Sequence, residues 1–335
     1  MTLTKVMSGE KLSIEEARQI VDKMMSGNMT NEQTAAVLSV LAYRGETPEE
    51  ISGFAAGMTE KAASVHVPQP VLDTCGTGGD GTGTFNVSTA SALLLSAGGV
   101  PVAKHGNRSV SSKSGSADVL EVLGIPVQHR EKEAAKMLET HSLSFFFAPL
   151  YHEAMKYVGP VRKALGIRTI FNVLGPLTNP AGASRRVIGV YSVEMARKMA
   201  EAAKHLPIER ALFVSGSDGM DEITIQGPST IIELKDGKLH EYTMTPEDAG
   251  LSSMTDLSGA VSADAEESAA VIKSVFEQKG SDSARGLLLL NAGAGLYVMG
   301  RADSIREGVK QAEALLGTPV LQHLERLQQE EEIVT

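Results

Sequence analysis

Glycines are concentrated in residues 73–99, which read DTCGTGGDGTGTFNVSTASALLLSAGG. Residues 71–76, VLDTCG, predict a short strand that runs into the glycine loop, and a helix-like run, NVSTASALLLSAGG, follows. Glycines let backbone N–H groups approach ligand oxygens, and the start of a helix adds partial positive charge. The order of strand, glycine loop and helix therefore predicts an anion-binding loop, in which phosphate is the natural ligand.

Three other interpretations of the loop are weaker. Gly76, Gly78 and Gly81 spell G-x-G-x-x-G, but a dinucleotide site needs an acidic residue at the end of the second strand, and that strand ends in Lys104 and His105. Asp80 lies within the loop, where it would repel a pyrophosphate pressed against the backbone. A Walker-type loop needs a lysine after its glycines, and none follows here. A flexible turn without a ligand remains as the third alternative.

A second group of polar residues follows the next predicted strand. Residues 104–118, KHGNRSVSSKSGSAD, contain Lys104, His105, Arg108, Lys113 and five serines in a chain of net charge −10. Such a local basic cluster in an acidic chain predicts an anion site. Both loops follow neighbouring parallel strands, so we expect them at the same carboxyl edge of the sheet. Two anion loops at one edge indicate a ligand with two phosphate groups.

The elements that position these loops fall into two regions. The first 65 residues predict three helices, each opened by a capping-box pair: Ser13 with Glu16, Thr30 with Gln33, and Thr47 with Glu50. From residue 71 strands and helices alternate, which predicts a parallel sheet with helical crossovers. Further strands are predicted at 186–193 and 210–216, and residues 229–244 predict a hairpin that turns at Asp236-Gly237.

We therefore predict an α/β protein in which a small N-terminal helical lobe joins a larger lobe with a mainly parallel sheet flanked by helices. The predicted domains are a helical domain at 1–66, joined by helices from about 160–185, and an α/β domain at 71–335.

Composition excludes several classes of protein. The longest apolar run, GLLLLNAGAGLYVMG, is interrupted by Asn291 and by glycines, so it predicts a buried helix and no membrane span. The only cysteine is Cys75, which excludes an intrachain disulfide and a cysteine-based zinc site. A net charge of −10 argues against nucleic-acid binding. The start of the sequence lacks an apolar signal core, and a cytoplasmic location is expected.

Five motifs occur in one order along nearly the whole chain: GTGGD (76–80), NVST (86–89), KHGNRSVSSKSGSAD (104–118), RTIFNVLGPLTNPA (168–181) and SDGMDE (217–222). Together they closely resemble the anthranilate phosphoribosyltransferase family of tryptophan biosynthesis. The resemblance implies a phosphoribosyltransferase fold and transfer of the 5-phosphoribosyl group from 5-phosphoribosyl-1-pyrophosphate (PRPP) to the amine of anthranilate, with release of pyrophosphate. It also implies Mg²⁺ as cofactor, with two ions per subunit, and a homodimer formed through the helical lobe.

The same resemblance assigns site residues. Those that match PRPP contacts are Gly76, Gly79, Asp80, Thr84, Asn86, Val87, Ser88, Thr89, Lys104, His105, Gly106, Asn107, Arg108, Ser109, Val110, Ser111, Ser112 and Ser116. Those that match anthranilate contacts are Gly76, Asn107 and Arg162, and those that match metal ligands are Ser88, Asp221 and Glu222. By itself an Asp-Glu dipeptide is more often part of a solvated loop, and Arg162 alone would be a surface arginine.

The chemistry needs little from a protein base. Displacement of pyrophosphate at an anomeric carbon passes through an oxocarbenium-like state, and an aromatic amine is already a neutral nucleophile. His105 is a candidate general base, but we favour its role as a wall beside anthranilate. Arg162 suits the anthranilate carboxylate because its guanidinium group is a planar fork. Asp80 fits either the ribose hydroxyls or a metal-bound water, and Cys75 is expected to be a buried structural thiol.

Two alternative functions remain. A pyrimidine nucleoside phosphorylase would use a related fold, but the KHGNR motif and the Asp221–Glu222 pair argue against it. A non-catalytic relative that binds nucleic acid is opposed by the net charge of −10 and by the same acidic pair. In the favoured interpretation the site lies in the cleft between the lobes. Residues 174–183 connect the lobes beside the anthranilate entrance, and the lobes close over PRPP to exclude water.

Overall fold

The N-terminal region is helical, as its sequence predicts. The computed structural model describes residues 2–109 and 114–330. The first four helices are α1 (Thr2–Met7), α2 (Ile14–Met25), α3 (Asn31–Arg44) and α4 (Pro48–Glu60). The capping boxes predicted at the starts of α2, α3 and α4 are all present, with the side chain of each cap accepting from the backbone N–H of its partner. These caps fix where the three helices begin.

A seven-stranded sheet forms the centre of the larger lobe. Its strands are β1 (Leu72–Gly76), β2 (Val102–Gly106), β3 (Leu143–Phe147), β4 (Arg185–Gly189), β5 (Arg210–Gly216), β6 (Ser229–Lys235) and β7 (Lys238–Met244). The strand order is β3-β2-β1-β4-β5-β6-β7. The first five of these strands are parallel, and β6 and β7 are antiparallel. The predicted mainly parallel sheet is therefore confirmed.

The predicted hairpin is also present between β6 and β7. Its two turn residues, Asp236 and Gly237, both have positive φ angles, of 52° and 71°. Two consecutive positive φ angles are typical of the tight turns that join twisted antiparallel strands, and Asp-Gly is among the pairs that tolerate them best. The strand β3 was not predicted from the sequence.

Eleven further helices are described in the larger lobe and its connections. They are α5 (Val87–Ala97), α6 (Ser116–Val122), α7 (Glu131–His141), α8 (Ala148–Tyr151), α9 (Gly159–Leu165), α10 (Phe171–Leu174), α11 (Val193–Ala203), α12 (Ala265–Phe276), α13 (Asp282–Val298), α14 (Ile305–Glu313) and α15 (Thr318–Gln328). None of the helices in the described part of the chain combines the length and apolar character that a membrane crossing requires.

The two faces of the sheet belong to different hydrophobic cores. On β5, Leu212 and Val214 join a core with α5, α13 and α15, whereas Ala211 and Phe213 join a core with α2, α4 and α11. This alternation follows from the two-residue period of a strand. Helices α9 and α10 pack against α3 and α4, respectively, so the N-terminal helices and this later segment share one core. The domain boundaries at residues 66 and 71 stay a prediction.

Four parallel strands, β1, β2, β4 and β5, end in glycine at the carboxyl edge. A Cβ atom on Gly189 would lie 1.6 Å from the backbone oxygen of Asp221, and one on Gly76 would lie 2.2 Å from Asp221 Oδ2. A Cβ on Gly216 would lie 2.4 Å from Asp218 Oδ1. The loop that carries Asp221 therefore rests directly on the strand ends, and only glycine leaves it room.

Candidate active site

The glycine loop and the acidic pair of the SDGMDE motif lie in contact. Gly78 has a positive φ of 69°, and its backbone N–H donates to Asp221 Oδ2 at 2.6 Å. The carboxylate of Asp80 accepts from the backbone N–H and the hydroxyl of Thr82, at 3.3 and 2.6 Å. Asp221 N–H lies 3.4 Å from Asp80 Oδ2. The structure thus places Asp80 beside the predicted metal pair.

Burial and neighbouring carboxylates disfavour negative charge on the acidic pair. Burial, and then the charge of Asp80, raises the pKa of Asp221 to about 7. Burial, and then the charge of Asp221, raises the pKa of Glu222 well above its ordinary value, while the nearby Lys104 opposes this shift. Glu222 Oε1 accepts from the backbone N–H of Ser88 at 3.1 Å. The three residues that match metal ligands are therefore together.

This donor set fits a hard divalent cation. Mg²⁺ takes oxygen ligands, and a cation beside Asp221 and Glu222 would favour the charged forms that burial and neighbouring carboxylates oppose. Within residues 2–109 and 114–330, no three His, Cys, Asp or Glu side chains form a group that would hold a metal ion by themselves. Mg²⁺ in proteins commonly uses one or two carboxylates and completes its shell with phosphate oxygens and water.

The second predicted loop follows β2. Two of its cationic residues, Lys104 and Arg108, already have partners within the protein. Lys104 is buried, and its Nζ donates to the backbone oxygen of Thr74 at 2.7 Å, so its charge acts from within the sheet. Arg108 forms ion pairs with Asp118, at 3.2 Å, and with Glu121. A phosphate that binds Arg108 must therefore compete with these carboxylates. Val110, Ser111, Ser112 and Lys113 lie outside the described residues.

Asn86 joins the two loops. Its Oδ1 accepts from the hydroxyls of Ser114, at 2.8 Å, and Ser268, at 2.9 Å, and its side chain does not cap α5. Ser114 belongs to the basic loop, whereas Asn86 ends the glycine loop. The two loops therefore lie side by side at the carboxyl edge, as the order of their strands predicts.

The remaining predicted PRPP contacts line these loops or lie beneath them. Val87 and Thr89 are buried in the first turn of α5, so a ligand outside the core meets the backbone of this turn. Thr84 pairs with Val261 in an isolated bridge, and the Ser116 hydroxyl donates to Asn107 O at 3.3 Å. Gly79 accepts through its backbone oxygen from Arg168, and Gly106 ends β2. Ser109 N–H donates to Asp118 Oδ2 at 2.9 Å.

His105 is held as a neutral acceptor. The short approach of its Nδ1 to Gly175 O, at 3.1 Å, makes Nδ1 the protonated nitrogen. Burial lowers the pKa of His105 to about 4. Its Nε2 is buried and has no hydrogen-bond partner in the described part of the chain. The ring therefore presents a lone pair and carries no charge at neutral pH.

A second buried histidine, His152, was missed in the sequence. Its ring centroid lies 5.1 Å from that of His105, and burial lowers its pKa to about 3. His152 directly follows α8, and the sequence around it contains no motif, only this single histidine. A lone histidine is most often structural, so spacing gave no signal for this neighbour.

Arg162 lies on α9 and is partly buried. Its guanidinium carbon is 5.5 Å from the centroid of the Phe171 ring. Within residues 2–109 and 114–330, its guanidinium group forms no ion pair or hydrogen bond. Burial lowers the pKa of Arg162 from its ordinary value, but an arginine stays charged at neutral pH. An unpaired, partly desolvated arginine is suited to bind a carboxylate.

The connection at residues 174–183 is tied to the first strands. Asn179 Nδ2 donates to Asp73 Oδ2 on β1 and to Ala103 O on β2, both at 2.7 Å. Gly175 O accepts from His105, and Arg186 donates to Pro176 O at 2.6 Å. The segment is thus a fixed wall beside His105.

Two further residues complete the surroundings. Arg168 lies 4.3 Å from the centroid of the Tyr191 ring and donates to Gly79 O, so it links the α9–α10 segment to the glycine loop. Cys75 is buried, and burial raises the pKa of its thiol well above the ordinary value. A thiol in this state is a poor nucleophile.

Two family models match the chain. Residues 2–62 match the helical bundle domain of a glycosyl transferase family, and residues 68–318 match the a/b domain of that family. The chain is 51% identical over 332 residues to the anthranilate phosphoribosyltransferase of Shouchella clausii (strain KSM-K16), which covers 98% of this chain and 96% of the relative.

Solved structures agree. Anthranilate phosphoribosyltransferase from Thermus thermophilus superposes with a TM-score of 0.91 at 41% identity and covers 98% of each chain. The Saccharomyces cerevisiae enzyme in complex with PRPP and Mg gives a TM-score of 0.86 at 28% identity, with 97% of this chain and 95% of that chain covered. The yeast enzyme has also been solved in complex with 4-fluoroanthranilate. The chain belongs to the anthranilate phosphoribosyltransferase family.

Proposed function

We propose that this protein transfers the 5-phosphoribosyl group of PRPP to the amine of anthranilate, giving N-(5′-phosphoribosyl)anthranilate and pyrophosphate. The observation that carries the proposal is the contact between the glycine loop and the acidic pair at the carboxyl edge. Gly78 N–H donates to Asp221, and Ser88 N–H donates to Glu222. Anion-binding backbone and metal-binding carboxylates thus meet at one point, as a magnesium-assisted displacement of pyrophosphate requires.

PRPP would lie across the two loops that Asn86 joins. The N–H of Gly78 donates to Asp221, but Gly79, Gly81 and Gly83 also have positive φ angles and let the backbone of the loop approach phosphate oxygens. The start of α5 adds the field of its backbone dipoles. The second loop adds Arg108 and its serines. Arg108 is a partner for a phosphate if it leaves Glu121, an exchange that costs little because Arg108 is exposed and Glu121 is half-buried at the surface.

The metal would be held by Asp221, Glu222 and Ser88, with Asp80 close enough to bind through water. Mg²⁺ bound there supplies positive charge to the pyrophosphate group as it leaves. We propose two ions per subunit, as the resemblance to the family implies, with phosphate oxygens and water completing the ligands of each ion. The chain's own contribution is to hold these carboxylates against Gly78 and Ser88.

Anthranilate would bind between Arg162 and His105. The free guanidinium group of Arg162 would pair with the carboxylate, since its planar fork matches two carboxylate oxygens. His105 offers the amine a neutral acceptor, and a group with a pKa of about 4 is a weak base at neutral pH. We therefore propose that His105 is a wall that orients the amine and does not remove its proton in the rate-limiting step.

We further propose a homodimer that forms through the helical lobe, with the domain division predicted at residues 66 and 71. This lobe carries two large apolar side chains that face solvent: Tyr43 on α3 is 95% exposed and Met7 at the end of α1 is 53% exposed. Exposed apolar groups of this kind mark contact surfaces when they cluster. Light scattering coupled to gel filtration measures the assembly mass, and a monomer at micromolar concentration contradicts this part.

The central test is a fluorescence assay for the loss of anthranilate. Turnover is expected only when PRPP and Mg²⁺ are both present, and EDTA should abolish it. Thymidine and uridine with phosphate serve as the control for nucleoside phosphorolysis, and a gel shift at physiological salt serves as the control for nucleic-acid binding. Phosphorolysis without PRPP-dependent turnover would overturn the proposal.

A further inference from the structure

Helix α13 carries a buried amide whose position the reaction itself does not explain. Between Gly286 and Leu296, Asn291 is the only polar side chain, and it is 2% exposed. An amide in such surroundings is unfavourable unless all of its groups are hydrogen-bonded. Its partners therefore indicate what it is for.

Asn291 binds the backbone directly after the acidic pair. Its Oδ1 accepts from Ile223 N–H at 3.0 Å, and its Nδ2 donates to Ile223 O at 3.1 Å. Nδ2 also donates to Leu287 O, one turn earlier in its own helix, at 2.9 Å. One acceptor and two donors are thus used, and these partners allow only one orientation of the amide.

The two bonds to Ile223 fix the backbone of Glu222. The Ile223 N–H and the Glu222 carbonyl belong to one planar peptide unit, which also contains the Cα atom of Glu222. A hydrogen bond to the Ile223 N–H therefore fixes the orientation of the backbone that carries the Glu222 side chain. On the other side of the pair, Asp218 accepts from Met220 N–H at 3.1 Å and from the Thr224 hydroxyl at 2.5 Å. The loop is therefore braced internally by Asp218 and anchored to the core by Asn291.

This anchor is the only side chain from a distant element that hydrogen-bonds to Ile223, the residue next to the pair, within residues 2–109 and 114–330. Helix α13 lies under the sheet and is almost entirely buried, so it is a rigid support. Groups that orient metal ligands commonly change metal affinity by about 10- to 100-fold when they are removed.

We infer that Asn291 is a positioning residue for the metal-binding pair and sets the affinity for the divalent cation through the backbone of Ile223. The inference rests on the proposed function for the identity of the pair. It makes a separate statement about metal affinity.

The test compares Asn291→Leu with Leu289→Ala. Leu287 and Asn291 share a face of α13, whereas Leu289 is two residues from Asn291 and so lies about 160° around the helix axis from it. Leu289 is also fully buried, so its variant controls for loss of core packing. Asn291→Leu keeps the branching of the side chain at Cγ, replaces its polar atoms by larger methyl groups and removes both bonds to Ile223.

The first measurement is Mn²⁺ binding by electron paramagnetic resonance, with PRPP present and anthranilate absent. We expect Asn291→Leu to weaken Mn²⁺ binding about 10-fold or more and Leu289→Ala to leave it within about twofold of wild type. Hydrogen exchange of the peptide that covers residues 217–225 should quicken in Asn291→Leu alone. In turnover assays the Mg²⁺ requirement should rise, while the KM for anthranilate stays within about twofold.

Asn291→Gln keeps the amide group but moves it by the length of one methylene. If Asn291→Leu does not fold, the Mn²⁺ affinity of Asn291→Gln tests the inference instead. An intermediate loss of Mn²⁺ affinity in this variant supports the inference. Unchanged affinity in the folded variants, or an equal loss in Leu289→Ala, overturns it. Wild-type protein assayed in parallel separates this result from the proposed function, which fails only if wild type shows no turnover that depends on PRPP and Mg²⁺.

Discussion

Burial and neighbouring carboxylates raise the pKa values of Asp221 and Glu222, so the surroundings of this pair oppose negative charge. Carboxyl groups with strongly raised pKa values are typical of ligand-binding sites and contribute little to the stability of the fold. Removal of their charge should therefore damage function without damaging stability.

We expect Asp221→Asn combined with Glu222→Gln to abolish magnesium-dependent turnover. The melting temperature should stay equal to that of wild type or rise, because neutral amides suit surroundings that oppose negative charge. The anthranilate assay and thermal melting followed by circular dichroism measure the two effects. Normal turnover in the double variant would show that the pair does not hold the metal.

The role of Arg162 can be separated from general basic charge on its helix. Arg162→Ala should raise the KM for anthranilate by about 10-fold or more, since a charge-assisted pair with the carboxylate is lost. The KM for PRPP should change much less. Lys163→Ala removes a neighbouring exposed charge and is the matched control. Equal anthranilate KM values in wild type and Arg162→Ala contradict the assignment.

At the scale of elements, the site depends on strands that stop in glycine. Gly189 ends β4 under the backbone of Asp221, where a Cβ would lie 1.6 Å from the Asp221 oxygen. The fold places the acidic pair by letting its loop touch the sheet. A methyl group at this point must lift the loop, since both partners are backbone.

We expect Gly189→Ala to reduce turnover by about 10-fold or more, because displacement of catalytic groups by about 1 Å costs rate on this scale. Gly159→Ala is the matched control, because a Cβ at Gly159 meets no atom within 4 Å and its φ is not positive. Steady-state kinetics and melting temperatures of both variants form the measurement. Full activity in Gly189→Ala would mean that the loop tolerates the shift.

Much of this architecture can be predicted from local sequence. The capping pairs from Ser13 to Glu50 start three helices because each satisfies free N–H groups by itself. The Asp236-Gly237 turn and the mainly parallel character of the sheet follow from equally local signals, whereas the strand order, which pairs β1 with β4, was not predicted. The two loops were found through strand ends, whereas the metal role of Asp221 and Glu222 was assigned through the resemblance of the motifs to a known family.

Other features depend on contacts between distant residues and left no local trace. Strand β3, LSFFF, is a short apolar run, and periodicity alone does not separate such a run from a buried helix. His152 meets His105 only after folding, because the two are 47 residues apart. Lys104 was predicted to supply charge to an anion loop, but its amine faces Thr74 O inside the sheet. Its contact with PRPP stays a prediction.

At the scale of the whole molecule, buried neutral histidines make stability depend on pH. His323 on α15 is 3% exposed, and its Nε2 lies 2.8 Å from the hydroxyl of Ser96 on α5. That hydroxyl also donates to Leu93 O, so Nε2–H is the donor to it. Burial lowers the pKa of His323 to about 4.

Since this folded pKa is below the unfolded value of about 6.5, the unfolded chain binds a proton first as pH falls. The contribution of His323 to stability is complete above pH 6.5 and is lost between 6.5 and about 4. Between pH 7 and 5 the loss is about 2 kcal/mol. The melting temperature of His323→Gln should therefore fall less over this interval than that of wild type. An equal fall in both proteins contradicts the assignment.

The burial of Cys75 has a practical consequence for the study of motion. The chain contains one cysteine, and the raised pKa of its buried thiol leaves little thiolate for maleimide or methanethiosulfonate reagents at neutral pH. New cysteines at exposed positions such as Gln19, in the helical lobe, and Val122, beyond the sheet, are then labelled selectively in an otherwise native chain. Dye or spin-label pairs at such positions report the distance between the lobes as substrate is added.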